Sequence, residues 1–266
     1  MKSPYRLETG ESVFSLYRHK DYQVLRFTEV ADFYLWPDRI ICQLLDSAYA
    51  HQVEIYFLGV VMAYWLECRG VLMLHASSVV IKDKAVGFLA TNRGGKSSLA
   101  VALMKSGCPL LSDDLLPVRF NEEKFVAFPG YPQMRLWPNE AQHFLGRYED
   151  LALVHPNYSK RRVPLGQDGL GSFCNSPKEL VCLYLPERSE SEDAAIEIKP
   201  KPRSEAVIEL IRNSFTPNMV VAAGLQPNRF RVIDNLTQNV PVKRLLYPSG
   251  FEHLDRVCAA VADDVS

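Results

Sequence analysis

Residues 90–97 read Ala90-Thr91-Asn92-Arg93-Gly94-Gly95-Lys96-Ser97. The stretch fits a pattern in which a small residue and four variable positions precede Gly-Lys-Ser. In proteins with this pattern, backbone N–H groups and a helix N-terminus cradle phosphates, while the lysine reaches the β- and γ-phosphates and the hydroxyl binds Mg²⁺. The stretch therefore predicts a site for ATP or GTP together with Mg²⁺. The predicted nucleotide contacts are Ala90, Asn92, Arg93, Gly94, Gly95, Lys96, Ser97 and the following Ser98.

Two positions in this stretch depart from common forms of the pattern. Ala90 stands at the first position, where glycine is frequent, and its small side chain remains compatible with the pattern. Arg93 stands where related loops often have glycine or another small residue. Its guanidinium either points to solvent or adds a cation to the phosphate site.

The neighbouring residues place the stretch between a strand and a helix. Residues 85–89 form a short apolar run of strand length, and residues 99–104 continue as a helical segment that ends at Gly107 and Pro109. A second apolar run follows at residues 110–111. The order strand, loop, helix and strand predicts a βαβ unit, and the alternative is a glycine-rich turn that binds no ligand.

The composition is that of an ordinary globular protein. The chain has 266 residues, of which 47% are hydrophobic and 23% charged, and its net charge is −1. This charge gives no overall attraction to nucleic acid or to an anionic membrane, so neither is an expected partner. The longest uncharged apolar run, residues 55–66, is too short to span a bilayer. We expect a cytoplasmic protein, because the chain starts without a signal-peptide core and its six cysteines, without a C-x-x-C pair, fit free thiols.

Two regions differ in their patterns. Residues 1–70 are expected to form a β-rich region with one helix at about 53–68, and residues 71–266 to form the catalytic domain. A polar region at about 157–178 is a candidate mobile loop near the active site. Within it, Lys160-Arg161-Arg162 is either a solvated face or a site for an acidic substrate. Further predicted elements are strands at 13–17, 23–27, 33–35, 71–74, 78–81, 180–185 and 241–246, and helices at 204–214, 218–223 and 251–262.

Two adjacent carboxylates follow the predicted βαβ unit. Asp113 lies 17 residues beyond Lys96, and Asp114 comes directly after it. In an open α/β sheet, the carboxyl ends of the strands line the ligand crevice. One carboxylate can then accept the proton of a substrate hydroxyl while the other serves the metal or the structure. The alternative is an acidic turn with solvated side chains.

Two further side chains are candidates for the same site. His75 follows an apolar run at residues 71–74, and it is either a hydrogen-bonded core residue or a partner of phosphate or aspartate. Arg135 lies beside an aromatic residue in the segment 131–138. It either stacks in a structural role or clamps a phosphate with two hydrogen bonds.

Three segments, taken in order, resemble the catalytic domain of HPr kinase/phosphorylase and, more closely, the broad group of HPr-kinase-related proteins. They are Leu74-His75-Ala76-Ser77-Ser78, the 90–97 stretch, and Leu111-Ser112-Asp113-Asp114. The segment from Pro129-Gly130-Tyr131-Pro132 to Arg135-Leu136-Trp137-Pro138 also looks like that group, and the detailed resemblance covers about residues 71–138. It implies an α/β fold with a P-loop mixed sheet of the HPr kinase/phosphoenolpyruvate carboxykinase type, here with an N-terminal β-rich extension.

The resemblance also implies roles for individual residues. Lys96 would contact the β- and γ-phosphates. Apart from the resemblance, the phosphate-clamp interpretation makes Arg135 a further predicted nucleotide contact. Ser97 and Asp114 would hold Mg²⁺. Asp113 would act as the general base on the acceptor hydroxyl, and His75 would lie near the transferred phosphate. The implied cofactors are ATP and Mg²⁺.

The chain lacks the Arg-Gly-x-Gly-Ile signature that is linked to phosphorolysis in the bifunctional enzymes, and its N-terminal region is too short for their separate domain. The expected activity is therefore transfer of the γ-phosphate of ATP to a hydroxyl, on serine of a protein or peptide, without phosphorylase activity. One alternative is a nucleotide-binding sensor or assembly protein that transfers nothing. Another is a kinase for a small molecule. Because HPr kinases form hexamers, the resemblance also raises a homo-oligomer as an expectation.

Overall fold

The computed structural model describes residues 1–2, 9–91, 94–155, 158–166, 170–191 and 193–265. The chain divides into two compact units. The first unit consists of Met1–Arg69 and Thr216–Gln226, and the second consists of Gly70–Phe215 and Pro227–Ser266. Every candidate site residue named above falls in the sequence range of the second unit.

The first unit is built on an antiparallel sheet whose strands follow one another in sequence. Side chains alternate in its second strand, so that Leu25 and Phe27 are buried while Arg26 between them is exposed. The Phe27 ring meets Phe33 edge-on at 5.8 Å and stacks on Tyr56 at 4.1 Å, which fixes the sheet to the helix of this unit. The strands are β1 (Phe14–Arg18), β2 (Gln23–Phe27), β3 (Ala31–Leu35) and β4 (Ile40–Leu44).

A helix predicted at residues 53–68 forms in the first unit with an interruption. It consists of α1 (Ala50–Tyr56), a π-helical turn (Phe57–Val61) and α2 (Met62–Glu67). Inside the turn, Gly59 has a φ of −102° and a ψ of −105°, outside the helical range. An apolar pattern with helical spacing does not reveal such a local change of pitch, so the interruption could not be predicted.

The second unit contains a mixed sheet of nine described strands in the order β5-β9-β10-β14-β7-β6-β8, with β16 beside β14 and β15 beside β16. Strand β14 runs parallel to β7 and β16, and the other neighbours are antiparallel. A separate small sheet has the order β11-β13-β12. The strands are β5 (Leu72–Leu74), β6 (Ala76–Ile81), β7 (Lys84–Leu89), β8 (Leu110–Ser112), β9 (Leu116–Asn121), β10 (Lys124–Ala127), β11 (Gln133–Leu136), β12 (Leu153–His155), β13 (Tyr158–Pro164), β14 (Lys178–Ser189), β15 (Glu197–Pro200) and β16 (Val242–Pro248).

Helices cover both faces of the nine-stranded sheet. In β7, Val86 and Phe88 pack with α3 and α8, whereas Ala85 and Leu89 pack with α5 and α7. This alternation explains why β7 reads as a continuous apolar run, since both of its faces are buried. The helices are α3 (Lys96–Lys105), α4 (Pro138–Leu145), α5 (Arg203–Arg212), α6 (Pro217–Ala223, within the first unit), α7 (Gln226–Asn239) and α8 (Leu254–Asp264).

The predicted strand–loop–helix–strand order is present as β7, α3 and β8. The two strands are not neighbours, because β6 lies between them and pairs antiparallel with each. Residue periodicity identifies strands but not their neighbours, so this insertion was not visible in the sequence. The fold brings His75, which follows β5, into contact with Asp114, which follows β8, and with Lys96 at the start of α3.

The expectation of a mobile loop over residues 157–178 was wrong for most of its first half. Residues 158–164 form strand β13, which pairs antiparallel with β11 and β12. Strand β13 could not be recognised from an apolar pattern, because most of its side chains are polar and only Val163 is buried. Residues 157 and 167–169 lie outside the described part of the chain.

In the part of the chain that the structure describes, no helix is both long enough and apolar enough to cross a membrane. All six cysteines are free thiols, with Cys182 and Cys258 buried and Cys42 exposed.

Candidate functional site

The 90–97 segment connects β7 directly to α3. Strand β7 ends at Leu89, and α3 begins at Lys96 with Gly95 as its N-cap in the left-handed conformation, at a φ of 89°. The Gly94 N–H donates to the Thr91 carbonyl at 3.0 Å, which closes the turn. Two predicted nucleotide contacts, Asn92 and Arg93, lie outside the described residues. The first turn of a helix leaves backbone N–H groups without intrahelical partners, and these groups bind anions.

Both glycines of the segment are required by their surroundings. A Cβ on Gly94 would lie 2.5 Å from the Ala90 Cβ, and one on Gly95 would lie 2.7 Å from the Tyr247 Oη. These distances are shorter than van der Waals contact. At Gly95 the left-handed backbone adds strain for any other residue. The tight turn therefore needs the small residue Ala90 and both glycines.

We expect Gly95→Ala to lower the free energy of unfolding by about 1–3 kcal/mol and to weaken nucleotide binding, because strain and the Tyr247 contact both displace the turn. Gly107→Ala is the matched control, since Gly107 has a φ of 96° and nothing within 4 Å of its added Cβ. Urea unfolding and nucleotide titration of both variants separate the backbone strain from the steric contact. Equal losses in the two variants would show that the Tyr247 contact has no effect.

Lys96 is buried, and its ammonium group contacts the start of the turn. Its Nζ donates to the carbonyls of Ala90 at 2.6 Å and Thr91 at 3.3 Å, and it lies 3.4 Å from the Nε2 of His75. Burial lowers the pKa of this lysine, although the charge of Asp114 opposes the shift. The ammonium is thus held at the mouth of the turn by neutral acceptors that phosphate oxygens can replace.

The two serines after Lys96 have different partners. Ser97 Oγ donates to Asp113 Oδ1 at 3.3 Å. Ser98 Oγ donates to the buried Glu140 at 2.5 Å, and the other carboxylate oxygen of Glu140 accepts the Trp137 N–H at 2.9 Å. Glu140 therefore caps the N-terminus of α4 through the Trp137 N–H and links α4 to the first turn of α3 through Ser98. The side chain of Ser98, predicted as a nucleotide contact, is engaged in this structural bond.

Asp113 is the carboxylate nearest to Ser97. Its Oδ1 accepts the Ser77 hydroxyl at 2.6 Å, and its Oδ2 accepts the Arg135 backbone N–H at 2.9 Å. Burial and the adjacent charge of Asp114 raise the pKa of Asp113 to about 6, against the opposing effect of its hydrogen bond from Ser77. A carboxylate with such a pKa is a stronger base than an ordinary aspartate and is still ionised at neutral pH.

Asp114 differs from Asp113 in its partners and in its protonation. Its carboxylate lies 3.2 Å from Arg135 Nη1 and 3.8 Å from Lys160 Nζ. Burial acts to raise the pKa of Asp114, but these positive charges outweigh it and hold the pKa below the ordinary value. Its backbone is left-handed, with a φ of 63°. Such strain in a non-glycine residue is frequent at functional sites.

His75 joins Asp114 to Lys96. Its Nδ1 lies 2.9 Å from the Asp114 carbonyl and its Nε2 faces Lys96 Nζ. Burial, followed by the charge of Lys96, lowers the pKa of His75, so the ring is neutral at pH 7. The two partners assign the proton to Nδ1, because the carbonyl must accept and the ammonium must donate. His75 is thus a hydrogen-bonded residue within the site.

The structure places Lys160 in the site, although the sequence did not single it out. Lys160, on β13, lies beside Asp114, and its Nζ is 5.6 Å from the ring centroid of Trp137. Neighbouring β11 supplies Arg135, whose guanidinium pairs with Asp114. The only sequence signal for Lys160 was its basic run, for which a site for an acidic substrate was one of two interpretations.

The assembled site combines several cations with two carboxylates. A lysine, an arginine and a second lysine surround two carboxylates, with the serine hydroxyl and the N-terminus of α3 at one side. Among the described residues, no group of three His, Cys, Asp or Glu side chains could hold a metal ion. Hard oxygen donors for a divalent cation are present in Ser97 and Asp113, whose oxygens are 3.3 Å apart.

Comparison with known proteins gives a distant likeness to solved structures. No family model matches the chain, and no curated protein matches it. A solved structure of the Hpr(Ser) kinase/phosphatase from Coxiella burnetii matches with a TM-score of 0.38 and 13% identity, over 73% of this chain and 96% of that one. A similarity at this level assigns neither a site nor an activity, so a functional proposal must be supported by the residues of the site.

Proposed function

We propose that this protein is a kinase that transfers the γ-phosphate of ATP to a hydroxyl group. The observation that carries the proposal is the contact between Asp113 and Ser97. Ser97 directly follows Lys96 of the 90–97 segment, and its hydroxyl donates to the Asp113 carboxylate. A nucleotide-binding segment alone would not need a carboxylate of raised pKa beside it. Phosphoryl transfer needs a phosphate cradle, positive charge and a group that accepts the proton of the acceptor, and all three meet here.

The phosphates would bind at the 90–97 segment. The N–H groups at the start of α3 and the Lys96 ammonium supply its positive potential, and Arg135 and Lys160 stand 3.2 and 3.8 Å from Asp114 across the site. Charges fixed in advance stabilise the transferring group without reorganisation during the reaction. This arrangement supports the γ-phosphate lying between Lys96 and the aspartate pair.

The oxygen donors of the site fit Mg²⁺. Ser97 would hold the ion together with phosphate oxygens, since Mg²⁺ in nucleotide sites is usually bound through one or two protein oxygens plus phosphates. The ion would neutralise charge on the phosphates. The sequence had paired Ser97 with Asp114 as metal ligands. In the structure Ser97 contacts Asp113, and Asp114 is paired with Arg135 and Lys160, so Asp113 is the nearer carboxylate.

Asp113 would accept the acceptor proton. Its two carboxylate oxygens are fixed by Ser77 and by the Arg135 N–H, so its remaining lone pairs have a defined direction. The neutral ring of His75 and the cations around Asp114 would then position the phosphate and not compete for that proton. The acceptor we propose is serine of a protein or peptide, and a small-molecule hydroxyl is the alternative class.

We expect kcat/KM to fall about tenfold per pH unit below the pKa of Asp113, which is about 6 in the free protein. The value of kcat/KM falls toward low pH because the Asp113 carboxylate can accept a proton only when it is deprotonated. Lys160→Gln should move this acid limb to higher pH, since the Lys160 charge lowers the pKa of Asp113. Initial rates across the pH range test both statements. A profile that stays flat well below pH 6 would exclude Asp113 as the base.

The proposed function is tested by following the γ-phosphate. Purified protein is incubated with γ-labelled MgATP and a native cell extract that has been separated by size into macromolecules and small molecules. Label that moves into the macromolecular fraction only with enzyme supports a protein or peptide kinase, and label in the other fraction supports a small-molecule kinase. Binding of MgATP without enzyme-dependent transfer to either fraction would favour the nucleotide-sensing alternative.

A further inference from the structure

Two of the cavities lined by described residues of the second unit border opposite ends of the 90–97 segment. The first has a volume of about 520 Å³ and meets the segment at its helix end, beside Gly95 and Ser98. The second has a volume of about 400 Å³ and meets it at its strand end, beside Leu89 and Ala90. Either volume is sufficient for a small ligand. A nucleotide whose phosphates lie on the segment would place its nucleoside in one of the two.

We propose that the nucleoside binds in the first cavity, with its base stacked on the ring of Phe251. This inference rests on the proposed function, which requires nucleotide phosphates on the 90–97 segment, and it adds the position of the rest of the nucleotide. The first cavity is lined by Gly95, Ser98, Trp137, Asn139, Arg188 and Phe251, among others.

Neighbouring rings hold the Phe251 ring in a fixed orientation in which it can stack with a base. One face of its ring stacks on His143, with centroids 4.1 Å apart and planes 9° from parallel. Phe144 meets it edge-on at 5.5 Å, so the ring is fixed from two sides. Phe251 also lines the first cavity and a smaller adjoining one of about 150 Å³. A base in the cavity would extend the existing stack by one ring, an interaction available to any base.

Arg188 provides a cation between this stack and the phosphates. It lies near the end of β14, and its Nε is 3.9 Å from the position that a Cβ on Gly95 would take. The Tyr247 hydroxyl is 2.7 Å from that same position. Both side chains therefore stand at the first turn of α3, where a phosphate near the nucleoside would enter. A guanidinium there can hydrogen-bond phosphate oxygens with two donors.

The second cavity offers a different lining. No aromatic ring is present among its lining residues in the described part of the chain. Its cations are already paired with neighbouring carboxylates: Arg244 donates two hydrogen bonds to Glu187 at 2.6 and 2.7 Å, and Arg212 pairs with Glu209 at 2.9 Å. A base placed there would gain no stacking.

The test compares two probes, MgATP and magnesium tripolyphosphate, which lacks the nucleoside. Phe251→Leu keeps an apolar side chain but removes the ring, and it should weaken MgATP binding at least about fivefold while leaving tripolyphosphate binding unchanged. Phe251→Tyr restores the ring and should restore MgATP affinity. Titration calorimetry measures both probes, and thermal unfolding confirms that each variant is folded.

Arg212→Ala is the matched variant in the second cavity, and it should change neither affinity. The inference is overturned if Phe251→Leu binds MgATP like wild type, or if Arg212→Ala weakens MgATP and not tripolyphosphate. Wild-type protein that binds both probes equally tightly would overturn the inference alone, because the phosphates would still be bound. Wild-type protein that binds neither probe would overturn the proposed function as well.

Discussion

Replacing Asp113 with asparagine is expected to lower phosphoryl transfer by about 10²- to 10⁴-fold while leaving MgATP binding close to that of wild type. Asparagine has nearly the shape of aspartate: its amide oxygen can accept the Arg135 N–H, now 2.9 Å from the carboxylate, and its NH₂ group can donate to the Ser77 hydroxyl, which is now the donor at 2.6 Å and would become the acceptor. Asparagine cannot take a proton at neutral pH. The variant therefore removes the base and keeps the local structure.

The measurement pairs initial transfer rates with calorimetric MgATP titration. Asp264→Asn is the matched control, because Asp264 is also partly buried and paired, with Lys243 at 2.8 Å, but belongs to the C-terminal helix. The control should retain transfer even if its stability falls. An Asp113→Asn protein with full activity would show that the base was assigned to the wrong residue.

Lys96→Ala is expected to lower transfer by about 10²- to 10³-fold and to weaken nucleotide binding, which distinguishes it from the Asp113 variant. The Lys96 ammonium is the buried cation of the 90–97 segment, and it bridges the carbonyls of Ala90 and Thr91 and the ring of His75. Without it, these acceptors face the phosphates with no intervening donor. The loss should therefore appear in the affinity as well as in the rate.

A lysine at the other end of the same helix supplies the control for this variant. Lys105 is exposed in the last turn of α3, where its Nζ donates to the Phe144 carbonyl at 3.0 Å. Lys105→Ala should bind MgATP and transfer phosphate like wild type. If Lys96→Ala binds MgATP with unchanged affinity, the 90–97 segment does not hold the phosphates.

Local patterns in the sequence accounted for the central part of the site. The turn between β7 and α3 could be predicted because adjacent residues, among them Gly94 and Gly95, determine it. The helix that follows could be predicted for the same reason. His75 and the aspartate pair follow the ends of β5 and β8, and a strand end can be located from an apolar run. How these residues bond to one another still had to come from the structure.

The remaining site residues depend on contacts between distant parts of the chain. Lys160 reaches Asp114 only because β13 pairs with β11, and a largely polar strand gives no periodic signal. Glu140 contacts Ser98 because α4, which begins with Pro138, packs beside α3, and no helix was predicted at these residues. Helix α7, at residues 226–239, was not predicted. Only three of its residues are buried, so its sequence carries a weak apolar pattern.

The most direct test of the central claim is the chemical identity of the phosphorylated product. The acceptor labelled by wild-type protein from γ-labelled MgATP is isolated, and mass spectrometry locates the phosphate while its stability in acid is recorded. We expect an acid-stable phosphate monoester on a hydroxyl, formed by wild type and not by Asp113→Asn. Label found only as inorganic phosphate, or as an acid-labile phosphate on a carboxylate or nitrogen, would contradict the account.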